Sequence, residues 1–200
     1  AYNLTKTHIF LALAKEIPDG KGGFKANPHQ TWKNVDASLP DVKIQMFGPP
    51  PTSGTRDAFV ELALEKGAEG VPELKALKER DGDAFKDRAH TIRTDGAWID
   101  AGENDSAIIQ QITKAPNAIG VLGFSFLEQN ADRVQAATLG GTPATFENIA
   151  SGAYGLSRSM FIYVKDQNVK LVPGVSEFVT EFTSDGAMSG RRPAYVPTRS

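Results

Sequence analysis

The chain has no cysteine among its 200 residues. That excludes disulfide staples, thiolate catalysis and cysteine-ligated metals together. Histidine is almost as scarce: His8, His29 and His90 lie far apart and lack the i, i+4 or short-loop spacing of a metal site, so each reads as a structural or surface residue. No apolar run approaches the ~18 to 20 residues that a membrane-spanning helix needs; the stretch from Ile9 to Leu13 is far too short. Positive charge is not in excess, with 22 Lys and Arg against 24 Asp and Glu and a net charge of -2. A nucleic-acid partner is therefore not expected, because gripping a phosphate backbone needs a clustered basic surface and only Arg191 and Arg192 cluster. Internal repeats and low-complexity segments are also missing. What remains is an ordinary globular composition, 40% hydrophobic and 23% charged, in a length that suits one domain or two small lobes.

The most informative stretch runs from Phe47 to Phe59: Phe-Gly-Pro-Pro-Pro-Thr-Ser-Gly-Thr-Arg-Asp-Ala-Phe. The prolines fix φ and stop a preceding strand, expected from Val42 to Phe47. Ser53, Gly54 and Thr55 then supply two hydroxyls and closely approachable backbone N–H groups where a helix begins, and the first turn of a helix leaves about four N–H groups without internal partners. With the positive end of the helix dipole, such donors favour phosphate, sulfate or carboxylate. A plain N-cap needs one acceptor side chain; it does not need a glycine, a second hydroxyl and an arginine whose cation opposes the dipole. Arg56 is accounted for if an anion sits there, since its guanidinium fork matches two oxygens at once. Ala58, Phe59, Leu62, Ala63 and Lys66 continue at helical spacing, and Gly67 is expected to terminate the helix.

The rest of the chain alternates helix and strand patterns, which predicts a mixed α/β fold. Asn3-Leu4-Thr5 reads as a cap before a helix over residues 7–17 with the stripe Ile9, Phe10, Leu13 and Ile17. A polar helix is expected over 72–88 and another over 106–114. Strands are expected over 118–124, 134–139 and 158–165, the last carrying Phe161, Ile162, Tyr163 and Val164. Short and longer helices are expected over 145–151 and 173–183, and an irregular tail over 188–200. A strand running through a tight turn into a helix is how α/β proteins present ligands at strand carboxyl ends.

The segment from Gly48 to Phe59 resembles the phosphate-binding loop of the substrate-binding proteins of phosphate ABC transporters. Leu4-Thr5 through Ile9-Phe10-Leu11, the Trp32-Lys33 turn, Arg93 to Trp98, Gly102-Glu103-Asn104-Asp105, Ala118-Ile119-Gly120 and Ser157 to Val164 follow in the same order, so the resemblance covers most of the chain to about Asp185. It implies a type II periplasmic binding protein-like α/β fold of two lobes joined by a hinge, with one phosphate in the cleft. Residues 1–46 and 155–200 would form a partial first lobe, and residues 47–154 the second lobe carrying the anion loop. Ser53, Gly54 and Thr55 would donate to phosphate and Arg56 would pair with its charge. Asp57 would orient or moderate Arg56, and Thr52 and Asn104 would be supporting residues. No metal and no cofactor are implied.

The resemblance also implies an extracytoplasmic or periplasmic location and a transporter permease as partner. A departure goes with it: the family's preceding first-lobe stretch, which supplies the other half of the ligand shell, is not represented. The opening Tyr2-Asn3-Leu4-Thr5 is similar to a mid-chain segment, and no signal peptide pattern is visible. The expectation is a fragment, or a chain whose missing lobe segment another polypeptide supplies. Such a chain alone would offer a few charge-assisted hydrogen bonds of about 1.5 to 3 kcal/mol each, hence weak, sulfate-tolerant binding. Two other functions compete. A phosphatase-like or phosphoryl-transfer enzyme could use the same cradle, but no dense metal-ligand cluster or nucleophile elbow accompanies it. A phosphate-responsive sensor or assembly fragment is the other. The sequence favours a binding protein over an enzyme.

Overall fold

The computed structural model describes residues 2–159 and 161–184. Its order is β1 (Asn3–Leu4), α1 (Lys6–Leu13), β2 (Glu16–Pro18), β3 (Phe24–Ala26), α2 (Trp32–Val35), β4 (Met46–Gly48), α3 (Gly54–Phe59), a π-helical stretch (Val60–Glu65), α4 (Lys66–Ala68), α5 (Pro72–Arg80), α6 (Gly82–His90), β5 (Trp98–Asp100), α7 (Asp105–Lys114), β6 (Ile119–Gly120), α8 (Phe124–Gln129), β7 (Thr138–Leu139) and α9 (Phe146–Ala150). These elements belong to one compact unit that runs through Leu156; a second unit starts at Ser157 and holds α10 (Asp166–Leu171) and α11 (Val175–Phe182). The α/β class expected from the alternating pattern is what folds.

The sheet that positions the site has the order β5-β4-β6, all parallel. In its register Met46 pairs with Trp98, Phe47 with Ile99 and Gly48 with Asp100. The carboxyl ends of β4 and β5 therefore finish side by side, with the Pro-rich turn leaving one and Asp100 closing the other. Successive residues of a strand point to opposite faces, so Trp98 and Asp100 share a side. The β4 strand is shorter than expected. Residues 42–44 instead pair with the Gln30–Trp32 segment, through a bridge between Lys43 and Thr31 and bonds from Ile44 N to Gln30 O and from Trp32 N to Val42 O.

The chain from Gly54 to Ala68 is continuously helical, changing from α to π and back. Gly67 lies inside this helix, where a terminator was expected. A Cβ at Gly67 would lie 2.1 Å from the carbonyl oxygen of Lys6 and 2.8 Å from Phe10 Cβ. The glycine is there because α1 crosses at backbone contact, and Thr7 Oγ1 donates to Gly67 O across the same crossing. α1 itself is shorter than its apolar stripe, and Ile17 belongs to β2 instead. Its start matches expectation, with Thr5 Oγ1 accepting from His8 N at 3.1 Å. Phe10, Leu13, Trp32, Ile44, Met46, Leu64, Leu74 and Phe85 are fully buried in one core. That core takes residues from both sides of position 47.

The single polar helix expected over 72–88 is two. The break falls at Asp81, whose Oδ1 accepts from Ala84 N and caps α6. Of the strand expected over 118–124 only β6 pairs, because Gly123 already caps α8. β7 pairs in parallel with β1. In the second unit α11 forms where its apolar pattern predicts, with Phe178 and Phe182 stacked at 5.7 Å. The described residues of the strand expected over 158–165 are not in a strand. Within that stretch Phe161 and Tyr163 are 73% and 92% exposed. The expected irregular tail over 188–200 lies outside the described residues.

Candidate functional site

The loop that leaves β4 folds as its residues dictate. Three consecutive prolines carry the chain away from the sheet, and Ser53 N donates back to Pro50 O at 3.0 Å to close the turn. Ser53 then takes the N-cap position with extended backbone, and its Oγ accepts from Thr55 N at 3.2 Å. The capping role is thus fulfilled. Among the described residues the hydroxyl proton of Ser53 has no acceptor and the Thr55 hydroxyl has no partner, so both remain able to donate.

Arg56 is the unusual member. Its side chain is only 12% exposed, yet its single hydrogen-bonding nitrogen, Nη1, makes two long contacts of 3.4 Å, to Pro49 O and Asp100 Oδ1. Among the described residues Nε and Nη2 have no partner. The guanidinium lies 4.3 Å over the Trp98 ring, a favourable face for a cation. Burial lowers its pKa from the ordinary value, and Asp100 and then Asp57 oppose that shift. An arginine so desolvated, with incomplete hydrogen bonding, has capacity for an anion.

Trp98 and Asp100 build the floor. Trp98 Nε1 donates to Asp100 Oδ1 at 2.7 Å, and the indole stacks on Phe59 with centroids 5.5 Å apart and planes at 28°. The ring crosses β4 at Gly48, where a Cβ would come within 2.2 Å of it. Glycine is required at that position to admit the indole.

The structure brings Ser53, Gly54, Thr55 and Arg56 together as one turn and helix start. It gives two of the three supporting residues other employment and leaves Asp57 acting on Arg56 by charge alone. Thr52 Oγ1 donates to Glu103 Oε1 at 2.6 Å. Asn104 Oδ1 accepts from Ser106 N at 2.9 Å and caps α7. Asp57 is exposed and attracts Arg56 without a hydrogen bond. The carboxylate in contact with Arg56 is Asp100, which sequence reasoning missed together with Trp98 and Glu103. No local signal marks Asp100, which lies far along the chain and reaches Arg56 only through the β4–β5 pairing.

The histidines take local roles: His8 in the α1 cap, His29 Nδ1 against Leu11 O and His90 Nε2 against Glu65 at 2.8 Å. Among the described residues no group of three His, Asp or Glu could hold a metal, and no helix is long and apolar enough to cross a membrane.

Comparison with known proteins gives the family of the chain. A family model described as the PBP superfamily domain matches residues 1–186. The chain belongs to the PBP superfamily. Among curated superfamily relatives, the phosphate-binding protein PstS of Staphylococcus epidermidis is 30% identical over 198 residues, covering 96% of this chain and 49% of the relative. The PstS of Staphylococcus haemolyticus is 30% identical over 172 residues, covering 84% and 46%. The chain thus spans about half the length of the curated relatives it matches. Two solved structures share the fold. A possible phosphate binding protein from Planctomyces limnophilus has a TM-score of 0.62 at 24% identity, covering 98% of this chain and 60% of the other. PstS from Borrelia burgdorferi has 0.58 at 20%, covering 94% and 60%. The periplasmic binding protein-like fold class expected from the sequence is borne out.

Proposed function

We propose that this chain binds inorganic phosphate through Ser53, Gly54, Thr55 and Arg56, as part of the solute-binding component of a phosphate ABC transporter. Its partners are then phosphate and the transporter's membrane permease, and its location is periplasmic or extracytoplasmic. The observation that carries this reading is Arg56, largely buried with two donor groups unpartnered among the described residues, next to Thr55 and three residues after Ser53, at the carboxyl edge of a parallel sheet. The names of the curated relatives support phosphate as the anion. Lobe closure around the ligand is the transport device that such a fold offers. In this proposal the lobe that carries the loop includes α1 as well as the segments after residue 47, because they share a core, and the stretch from 157 belongs to the other lobe. In the relatives the full length is one polypeptide, so a segment supplied by a second chain finds no support there.

Binding without chemistry fits the serine. A nucleophile needs a base within hydrogen-bond reach. Among the described residues the partner of Ser53 Oγ is the Thr55 amide, with no histidine or carboxylate on it.

Calorimetric titration with phosphate and with sulfate tests the proposal, comparing the chain with Arg56→Ala and Ser53→Ala. Loss of one charge-assisted hydrogen bond of about 1.5 to 3 kcal/mol predicts at least a roughly tenfold weaker phosphate affinity for Arg56→Ala. A folded chain that gives no heat with either anion would sink the proposal. Equal affinities before and after substitution would sink the residue assignment.

A further inference from the structure

We propose that Asp100 positions Arg56 for the anion by clamping it over Trp98, and that its charge limits how tightly the site holds a dianion. The proposal rests on the phosphate-binding reading above and adds a residue from another strand to it. Its basis is a chain of contacts. Gly48 leaves room for the Trp98 indole, whose Nε1 donates to Asp100 Oδ1. The same Oδ1 accepts from Arg56 Nη1 at 3.4 Å, and the guanidinium rests on the indole face at 4.3 Å. One carboxylate oxygen therefore fixes the ring and the cation relative to each other, while Arg56 Nε and Nη2 keep no partner among the described residues. Asp57, adjacent in sequence and the obvious orienting residue, makes no hydrogen bond to Arg56.

The clamp adds negative charge to a site meant for an anion. Asp100 is about half exposed, so water screens it. Even at the dielectric constant of water, a dianion ~6 Å from a carboxylate is repelled by an amount equal to about a tenfold change in affinity. A neutral side chain of the same shape keeps the acceptor oxygen for Trp98 and Arg56 and removes the repulsion. Removing the side chain altogether frees Arg56 to leave the ring. Both substitutions therefore remove the repulsion and only Asp100→Ala also loses the clamp, so the two separate in affinity; a purely electrostatic role for Asp100 would move both equally.

The experiment compares the chain with Asp100→Asn and Asp100→Ala. Phosphate and sulfate affinities are measured by calorimetry at constant ionic strength. The Arg56 Nε–H resonance is followed by NMR without anion and assigned with Arg56→Lys. Expected for Asp100→Asn is about tenfold tighter binding of both dianions with the ring-current shift of Arg56 retained. Expected for Asp100→Ala is loss of that shift and weaker binding than in Asp100→Asn. An unchanged Arg56 resonance in Asp100→Ala overturns the positioning role, whether or not any anion binds. Asp100→Asn binding no tighter than the unsubstituted chain overturns the charge-limiting role at any absolute affinity. A chain that binds neither anion but shows the expected NMR changes refutes the phosphate reading and leaves the clamp standing.

Discussion

Replacing Gly67 by alanine sets helix propensity against packing, and the geometry says which wins. Alanine is about 1 kcal/mol better than glycine inside a helix, and Gly67 sits within the continuous helix from Gly54 to Ala68. Propensity alone predicts a more stable protein. The added methyl, however, would lie 2.1 Å from Lys6 O, 2.6 Å from Lys6 C and 2.8 Å from Phe10 Cβ. Ordinary C···O approaches stop near 3.3 Å, so α1 and α4 must separate by roughly 1.2 Å at the crossing. The nearest obstacle is backbone, so no side-chain rotation relieves it. A retreat of about 1 Å forfeits a quarter to a half of each dispersion contact it stretches. Phe10 of α1, at the crossing itself, is fully buried in the core and would lose such contacts. Overpacking of this kind costs typically 1 to 3 kcal/mol, occasionally more, and a backbone clash belongs at the upper end, near 3. Subtracting the propensity gain leaves a net loss of about 2 kcal/mol. At a urea slope of about 2 kcal/mol per molar, the midpoint falls by about 1 M. Gly82→Ala is the control, since a Cβ at that helical position meets nothing within 4 Å; its midpoint should hold or rise slightly. A Gly67→Ala midpoint equal to or above that of the unsubstituted chain would refute the crossing argument.

Two further predictions follow from the same contacts. Gly48→Ala places a methyl 2.2 Å from the Trp98 ring, which Phe59 and Arg56 hold on its faces, so the ring and Arg56 must both move; phosphate affinity should fall about tenfold or more with a changed near-ultraviolet dichroism, and an unaltered affinity would dismiss the indole platform. Asp95 accepts from the buried Arg93 at 2.8 and 2.9 Å, and these bonds hold its pKa below the ordinary carboxylate value. Because the native pKa is depressed, the resulting stability is complete above about pH 4 to 5 and disappears as pH falls through the native value; Asp95→Asn should flatten the acid limb of urea midpoints measured from neutral to about pH 2.5, and an identical acid slope would count against the linkage.

What the sequence made legible depended on how local the determining interactions are. The Thr5 cap, the Ser53 cap and the Asn104 cap rest on one side chain and an amide two or three residues away, and all are readable from residue type alone. The loop proposed to hold the anion belongs to the same class, because the prolines, the hydroxyls and Arg56 lie within eight residues. Gly67 shows the opposite case. Its signature as a helix terminator is sound in isolation, but α1 approaches so closely that only glycine fits, and that approach is decided by a helix 60 residues earlier. The strand expected over 158–165 shows the same limit from another side: Phe161, Ile162 and Tyr163 carry strand propensity, yet a strand exists only when a neighbour supplies the ladder.

Asp100 combines both lessons. Its alternation with Trp98 is visible in the sequence as i, i+2, but the partner of that pair is fixed only when β5 pairs in parallel with β4 and Gly48 comes to lie opposite Asp100. The register that creates the carboxyl-edge turn therefore also delivers the carboxylate that holds its arginine. A one-residue slip in this pairing would turn Trp98 and Asp100 to the other face of the sheet, taking the indole from Phe59 and the carboxylate from Arg56. The geometry of the proposed anion site and the register of the sheet are consequently one property: a substitution that disturbs the β4–β5 register is expected to weaken anion binding even where Ser53, Gly54, Thr55 and Arg56 are untouched.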